Sequence, residues 1–202
     1  MSLPQPPTRQ ERTVKKFLPL VFALLLTGCG TKYPATANLK LQLGQQPAGL
    51  YSEKTTAVLK GHDARVGSAV VIYHIDGEPE VRIPNQTEPH ILITERLANG
   101  LLQQGLLFES GAPVRIQLDL DELLVSVTRP KLLYNARARS HLTLTTKNQE
   151  ISLTKTYDRE ANRESATRPP VADLEKMLNG QLTEIVAEIL QDKEVRAAID
   201  KK

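Results

Sequence analysis

Residues 114–144 read VRIQLDLDELLVSVTRPKLLYNARARSHLTL, and their alternation decides the fold class. Val114, Ile116, Leu118 and Leu120 alternate with Arg115, Gln117 and Asp119, the period-two pattern of a half-buried strand. After Asp121 and Glu122 the apolar positions change parity to Leu123, Val125 and Val127. A strand cannot turn its side chains over partway without an extra residue, so the spacing predicts a β-bulge at Asp121 and Glu122. Tyr134, Ala136, Ala138, Leu142 and Leu144 then share one face, and Arg137, Arg139, His141 and Thr143 share the other. Residues 147–150, with Asn148, read as a hairpin turn, and Ile151, Leu153 and Tyr157 continue a third strand. Three such strands form an antiparallel meander with one solvated face.

Outward from this block the pattern changes. Leu39, Leu41 and Leu43 alternate as a short strand, and residues 44–52 hold Gly, Pro and Gln as a loop. Residues 56–60 and 68–75 are further strands, the second closed by the turn signal Asp76-Gly77. Val81 and Ile83 make a short edge piece before Pro84. A helix is predicted from Thr87 as N-cap, with Ile93, Leu97 and Leu101 as its buried stripe, widened by Ala98 and Leu102, and Gly105 as its stop. Pro169-Pro170 opens a last helix with the stripe Leu174, Leu178, Leu182, Ile185 and Ile189. Asp192 is placed to cap a short final helix holding Val195 and Ile199. Separated strand blocks and two helices imply an α+β fold: an antiparallel sheet with two helices packed on one face.

The N-terminus has a different purpose. Lys15 and Lys16 precede the apolar run 17–26, and Thr27, Gly28, Cys29 and Gly30 follow. A charged start, a short apolar core and a small-residue exit describe a secretory signal peptide. The run is too short to span a bilayer, which needs about 20 apolar residues. Leu26-Thr27-Gly28-Cys29 resembles the bacterial lipobox. The resemblance implies lipid transfer to the Cys29 thiol, cleavage between Gly28 and Cys29, and acylation of the new terminus. Gly30, where an Asp would retain the protein at the inner membrane, implies forwarding to the outer membrane with the body facing the periplasm. The organisation expected is 1–28 signal peptide, 29–36 lipidated tether and 37–202 one α+β domain. Residues 1–13 are Pro- and Gln-rich, unlike a signal, so translation is expected to start at Val14; N-terminal sequencing of the unprocessed precursor separates this from a start at Met1.

Charge and composition exclude several functions. Residues 1–28 hold Arg9, Arg12, Lys15 and Lys16 against Glu11, leaving 22 of the 26 basic and 22 of the 23 acidic residues in the remainder. The mature chain is neutral, so its basic pI carries no argument for a polyanion partner. With no Trp and few aromatic rings there is no platform for base stacking, and no nucleic-acid partner is expected. The single cysteine allows no internal disulfide.

The layout, together with the lipobox, resembles the YajG-like family of bacterial lipoproteins over most of residues 36–200. The residues that carry it are 56–65, with an Asp-x-Arg element at Asp63 and Arg65, the helix ending at Gly105, the alternating strand 134–144 and the tail 192–199. The resemblance implies an outer-membrane lipoprotein and no particular chemistry.

No catalytic constellation is legible. Asp63 and Arg65, at i and i+2, form a structural pair or a ligand clamp, the former favoured because ion pairs more often serve structure. His62, His74, His90 and His141 lack metal-ligand spacing, so neither metal nor cofactor is expected. Asp119, Asp121 and Glu122 lie on a strand without a histidine beside them in sequence, which reads as a solvated edge. The basic stretch Arg129, Lys131, Arg137 and Arg139 is the best non-catalytic candidate; Arg137, Arg139 and His141 project from one strand face and form a candidate surface for anionic lipid or an acidic partner. The expectation is a non-enzymatic, lipid-anchored interaction or assembly module that meets another envelope protein, the alternative being lipid or lipopolysaccharide binding through this basic face.

Overall fold

A computed structural model describes residues 33–200, and the signal peptide, lipobox, Gly28 and Cys29 lie outside the described residues. The elements in chain order are β1 (Thr56–Asp63), β2 (Ala69–His74), β3 (Val81–Pro84), α1 (Pro89–Gln103), β4 (Leu107–Phe108), β5 (Val114–Thr128), β6 (Tyr134–Lys147), β7 (Ser152–Ser165), α2 (Val171–Gln191) and α3 (Lys193–Asp200). The fold is α+β, built on one seven-stranded sheet.

The meander 5-6-7 forms as its alternation requires: β5 pairs antiparallel with β6, and β6 with β7. The register shifts between Leu120 and Glu122, so Asp121 is the extra residue and the predicted bulge is present. The sheet as a whole is mixed rather than antiparallel. Both β1 and β2 run parallel to β5, β1 along its first half (Ala57↔Val114 to Asp63↔Leu120) and β2 along its last residues (Val71↔Val125 to His74↔Thr128). Alternation reports which face a side chain takes but not which way the neighbouring strand runs. Here the long connection through α1 returns the chain in the direction it left, as a crossover does. β3 pairs antiparallel outside β2, and β4 adds two residues parallel to the start of β1.

Three helices cover the sheet: the two long ones and, as the Asp192 cap predicts, a short final one. Register places α1 and α2 on one face of it. Gly61 lies opposite Leu118, and Leu118 opposite Leu144. A Cβ at Gly61 would meet Thr94 of α1. Ser140, two positions of like parity before Leu144, donates its hydroxyl to Gln181 Oε1 of α2 at 2.7 Å. Gln181 Nε2 donates in turn to the Ala138 carbonyl, so this buried polar pair satisfies itself. α3 is separate because Asp192 is extended and ends α2; its Oδ1 accepts from the N–H groups of Glu194 (2.9 Å) and Val195 (3.2 Å), capping the next turn. Asp192 also binds Lys155 Nζ at 2.6 Å and the Tyr157 hydroxyl at 3.1 Å. Burial pushes its carboxyl pKa up, but these donors outweigh that and hold it below the usual value.

Two further expectations differ. Residues 39–43 join no sheet, although Leu39 and Leu41 are buried as their alternation demands. The N–H groups of Asn38, Leu39 and Lys40 go to side-chain oxygens of Glu175 (2.8 Å), Asn85 (2.9 Å) and Asn179 (2.9 Å), which take the place of a strand neighbour. The N-cap of α1 is Glu88 rather than Thr87, with no side-chain cap. Pro89 opens the helix without needing an acceptor, and Ile91 and Leu92 donate to the Glu88 carbonyl. Gly105, at φ 101°, stops α1 as expected.

Candidate functional site

The least complete part of the sheet is the outer edge of β1. In a parallel strand, successive residues send their backbone groups to opposite neighbours. The Ala57 carbonyl accepts from Glu109 N–H (3.1 Å) on the β4 side, whereas Ala64 N–H donates to Leu120 O (3.0 Å) on the β5 side. By this alternation Leu59 and Gly61 aim their N–H and C=O groups away from β5. On that side β4 pairs only with Thr56 and Ala57. Leu59 and Gly61 therefore present backbone donors and acceptors beyond the end of the sheet.

A groove of about 600 Å³ runs beside this edge, between β1 and α1. Leu59, Gly61, Ile91, Thr94, Ala98 and Phe108 line it, and Glu95, Glu109 and His90 stand around it. Gly61 shapes its floor: with no side chain there, α1 comes close enough that a Cβ would lie 2.0 Å from Thr94 Oγ1 and 3.2 Å from the His90 carbonyl. Glu95 and Glu109 are exposed, and neither forms an ion pair among the described residues. The groove is thus apolar within and acidic at its rim.

Asp63 and Arg65 close β1 at its far end. Arg65 Nε and Nη2 donate to the two Asp63 oxygens, each at 2.8 Å, and Arg65 N–H adds a third bond at 3.2 Å. The Arg65 side chain is only 6% exposed. Its guanidinium holds the Asp63 carboxyl below the usual carboxylate pKa, chiefly through the side-chain hydrogen bonds. His90 Nδ1 lies 3.9 Å from Asp63 Oδ2 and has no hydrogen-bond partner. The pair sits where the chain passes from β1 to β2, opposite the bulged stretch of β5.

Arg137, Arg139 and His141 do share one face of β6, but each meets a carboxylate there. Arg137 pairs with Glu160 at 2.5 Å, Arg139 with Glu122 at 3.0 Å, and His141 stands between Asp121 and Asp158. The acids come from β5 and β7 through the cross-strand register, which single-strand periodicity does not display. His62 binds Asp119 at 3.0 Å and His74 lies 3.3 Å from Glu80, so each of the two has a carboxylate of its own. Among the described residues no three potential metal ligands gather, and no helix is long and apolar enough to cross a membrane.

The comparisons agree with the lipobox in character. The family model described as uncharacterised lipoprotein matches residues 44–200, so the chain belongs to that family. The chain is 25% identical to the uncharacterised lipoprotein YajG of Escherichia coli strain K12 over 189 residues, 92% of this chain and 96% of that protein. Two crystal structures share the fold at low identity. A Xanthomonas campestris protein has a TM-score of 0.55 at 10% identity, covering 78% of this chain and 93% of that one. A Helicobacter pylori protein, a homologue of a neuraminyllactose-binding haemagglutinin by its description, has a TM-score of 0.52 at 12% identity, covering 81% and 97%.

Proposed function

We propose that this member of the uncharacterised lipoprotein family is a non-enzymatic, lipid-anchored envelope protein that captures an extended segment of another envelope protein along β1. Lipid on Cys29 anchors it to the outer membrane, the body facing the periplasm. The open backbone groups of Leu59 and Gly61 carry the reading. Strand addition supplies affinity through main-chain hydrogen bonds and specificity through pockets for alternate side chains. The groove provides an apolar pocket at Leu59, Ala98 and Phe108. Its two unpaired carboxylates, Glu95 and Glu109, select a segment carrying a Lys or Arg beside its apolar residue. The other long edge, β7, exposes Asp158, Glu160, Arg163 and Glu164, the charged dressing that discourages pairing.

The alternative, anionic lipid bound through Arg137, Arg139 and His141, is weaker because those cations already have carboxylate partners on the same face. Photocrosslinking from position 60, with the full lipoprotein in its cell envelope, tests the docking reading. The expected adduct maps to an extended, cation-bearing segment and disappears in Glu95→Lys/Glu109→Lys. An equal adduct from position 154 on the β7 edge, or an adduct indifferent to the charge reversal, would refute it.

A further inference from the structure

The acids that neutralise the face of β6 do not reach the turn at its start. Residues 129–133 connect β5 to β6 and read Arg-Pro-Lys-Leu-Leu. Leu132 is 81% exposed and Leu133 44% exposed. Arg129 and Lys131 are exposed too, and neither forms an ion pair among the described residues. The Arg129 guanidinium lies 5.0 Å from the centre of the Tyr134 ring, which holds it at the root of the turn rather than at its tip. Tyr134 itself is buried, so the turn stands on a rigid base. The neighbouring acid Glu78 is engaged by Arg168 at 2.5 Å, and Glu164, opposite Asn135, is the nearest free carboxylate in the strand register.

Two adjacent leucines at a tip with two unpaired cations behind them match the layered chemistry of a bilayer surface. There, apolar side chains enter the boundary of the acyl chains while cations stay at the phosphates. We propose that the turn 129–133 is a membrane-contact element, in which Leu132 and Leu133 enter an anionic phospholipid surface and Arg129 and Lys131 meet its headgroup phosphates. The contact rests on the lipid-anchored reading for its geometry. Eight residue steps separate Cys29 from Ala37, and an extended chain covers at most about 3.5 Å per step, so the anchor would keep the domain within about 28 Å of the bilayer. At that range a turn with little affinity of its own is held at high local concentration. Contact at this turn would orient the domain and leave the β1 edge, on another side of β5, to meet its partner.

The chain contains no Trp, so a single introduced indole reports its own surroundings. The full lipidated chain carrying Leu132→Trp is reconstituted into phosphatidylethanolamine vesicles containing phosphatidylglycerol, some of it brominated. Val66→Trp serves as the control: Val66 is equally apolar and fully exposed, but lies on the loop between β1 and β2. Both variants should float with the vesicles. The indole at 132 should shift to the blue and be quenched by bromine, and the indole at 66 should do neither. Lys131→Gln should lower the ratio of inserted to free turn about fivefold, the worth of one cation near an anionic surface. High salt should act in the same direction, and Arg137→Glu/Arg139→Glu should leave the quenching unchanged. Flotation without quenching at 132 overturns the contact while sparing the anchor, and failure of both variants to float overturns both. A blue shift at 132 without bromine quenching would mean that the turn meets protein rather than lipid, and would equally refute the proposal.

Discussion

Gly61→Ala tests how closely α1 approaches β1 and therefore whether the groove has the shape described. The added Cβ would lie 2.0 Å from Thr94 Oγ1, 3.1 Å from Thr94 Cβ and 3.2 Å from the His90 carbonyl oxygen. The hydroxyl can rotate away, but it would abandon its 2.7 Å bond to the His90 carbonyl, worth about 1 kcal/mol. The threonine Cβ and the helix carbonyl cannot rotate, so α1 must lift by a few tenths of an ångström. Overpacking of this kind costs about 1–3 kcal/mol. Replacing Gly by Ala returns roughly 0.5–1 kcal/mol through the unfolded chain, so with the lost hydrogen bond the net loss is about 1–3.5 kcal/mol. Thr94→Ala removes the worst contact, so Gly61→Ala/Thr94→Ala should be less destabilised than the sum of the single changes, with a coupling of about 1 kcal/mol. Urea unfolding of the lipid-free chain from Thr31 onward reads all four corners of this cycle. Wild-type stability for Gly61→Ala, or strictly additive effects, would show that α1 does not rest on Gly61.

Two other outcomes follow from Cys29 and from Asp63. Cys29→Ser should abolish incorporation of a clickable fatty acid and leave unprocessed precursor at the inner membrane, and mutant labelling equal to wild type would remove the anchor from the account. Asp63, whose folded pKa is depressed below 3.8 by Arg65, contributes stability that is present above its unfolded pKa and lost as pH falls through the lower folded value. The stability gap between wild type and Asp63→Asn should therefore be constant above about pH 5 and narrow under more acid conditions; a gap that does not narrow in acid urea titrations would mean that the Arg65 bonds do not form.

Much of the local structure was legible because it depends on short spacings. The change of parity between Leu120 and Leu123 located the bulge, since side-chain direction along a strand is a strict period of two. Gly105 marked the end of α1, and Asp192 the start of α3, because backbone conformation and cap chemistry are confined to a few residues. The stripes Ile93, Leu97 and Leu101 of α1 and Leu174 to Ile189 of α2 are buried as their spacing predicts, but Leu102, expected to widen the first, is 48% exposed, because it lies at the margin of the face that α1 turns to the sheet. Leu39 and Leu41 show the limit: their burial was predictable, but whether their N–H groups met a strand or the side chains of Glu175, Asn85 and Asn179 depended on α2, far away in sequence.

By itself, the sequence determined which residues of the long strands and helices are apolar on which face, the bulge in β5, the stop of α1 at Gly105 and the cap of α3 at Asp192, and the lipobox resemblance that agrees with the family. Tertiary structure alone decided that β1 and β2 run parallel to β5, that β4 ends after two residues, and that Leu59 and Gly61 are left at an open edge. It also decided that Arg137 and Arg139 face Glu160 and Glu122, while Arg129 and Lys131 do not meet an acid. The physical reason is range. Alternation, capping and turn conformation are set by neighbours within about four residues along the chain. Strand direction, edge exposure and charge pairing depend on segments brought together across tens of residues, and their identity appears only once the sheet has chosen its order.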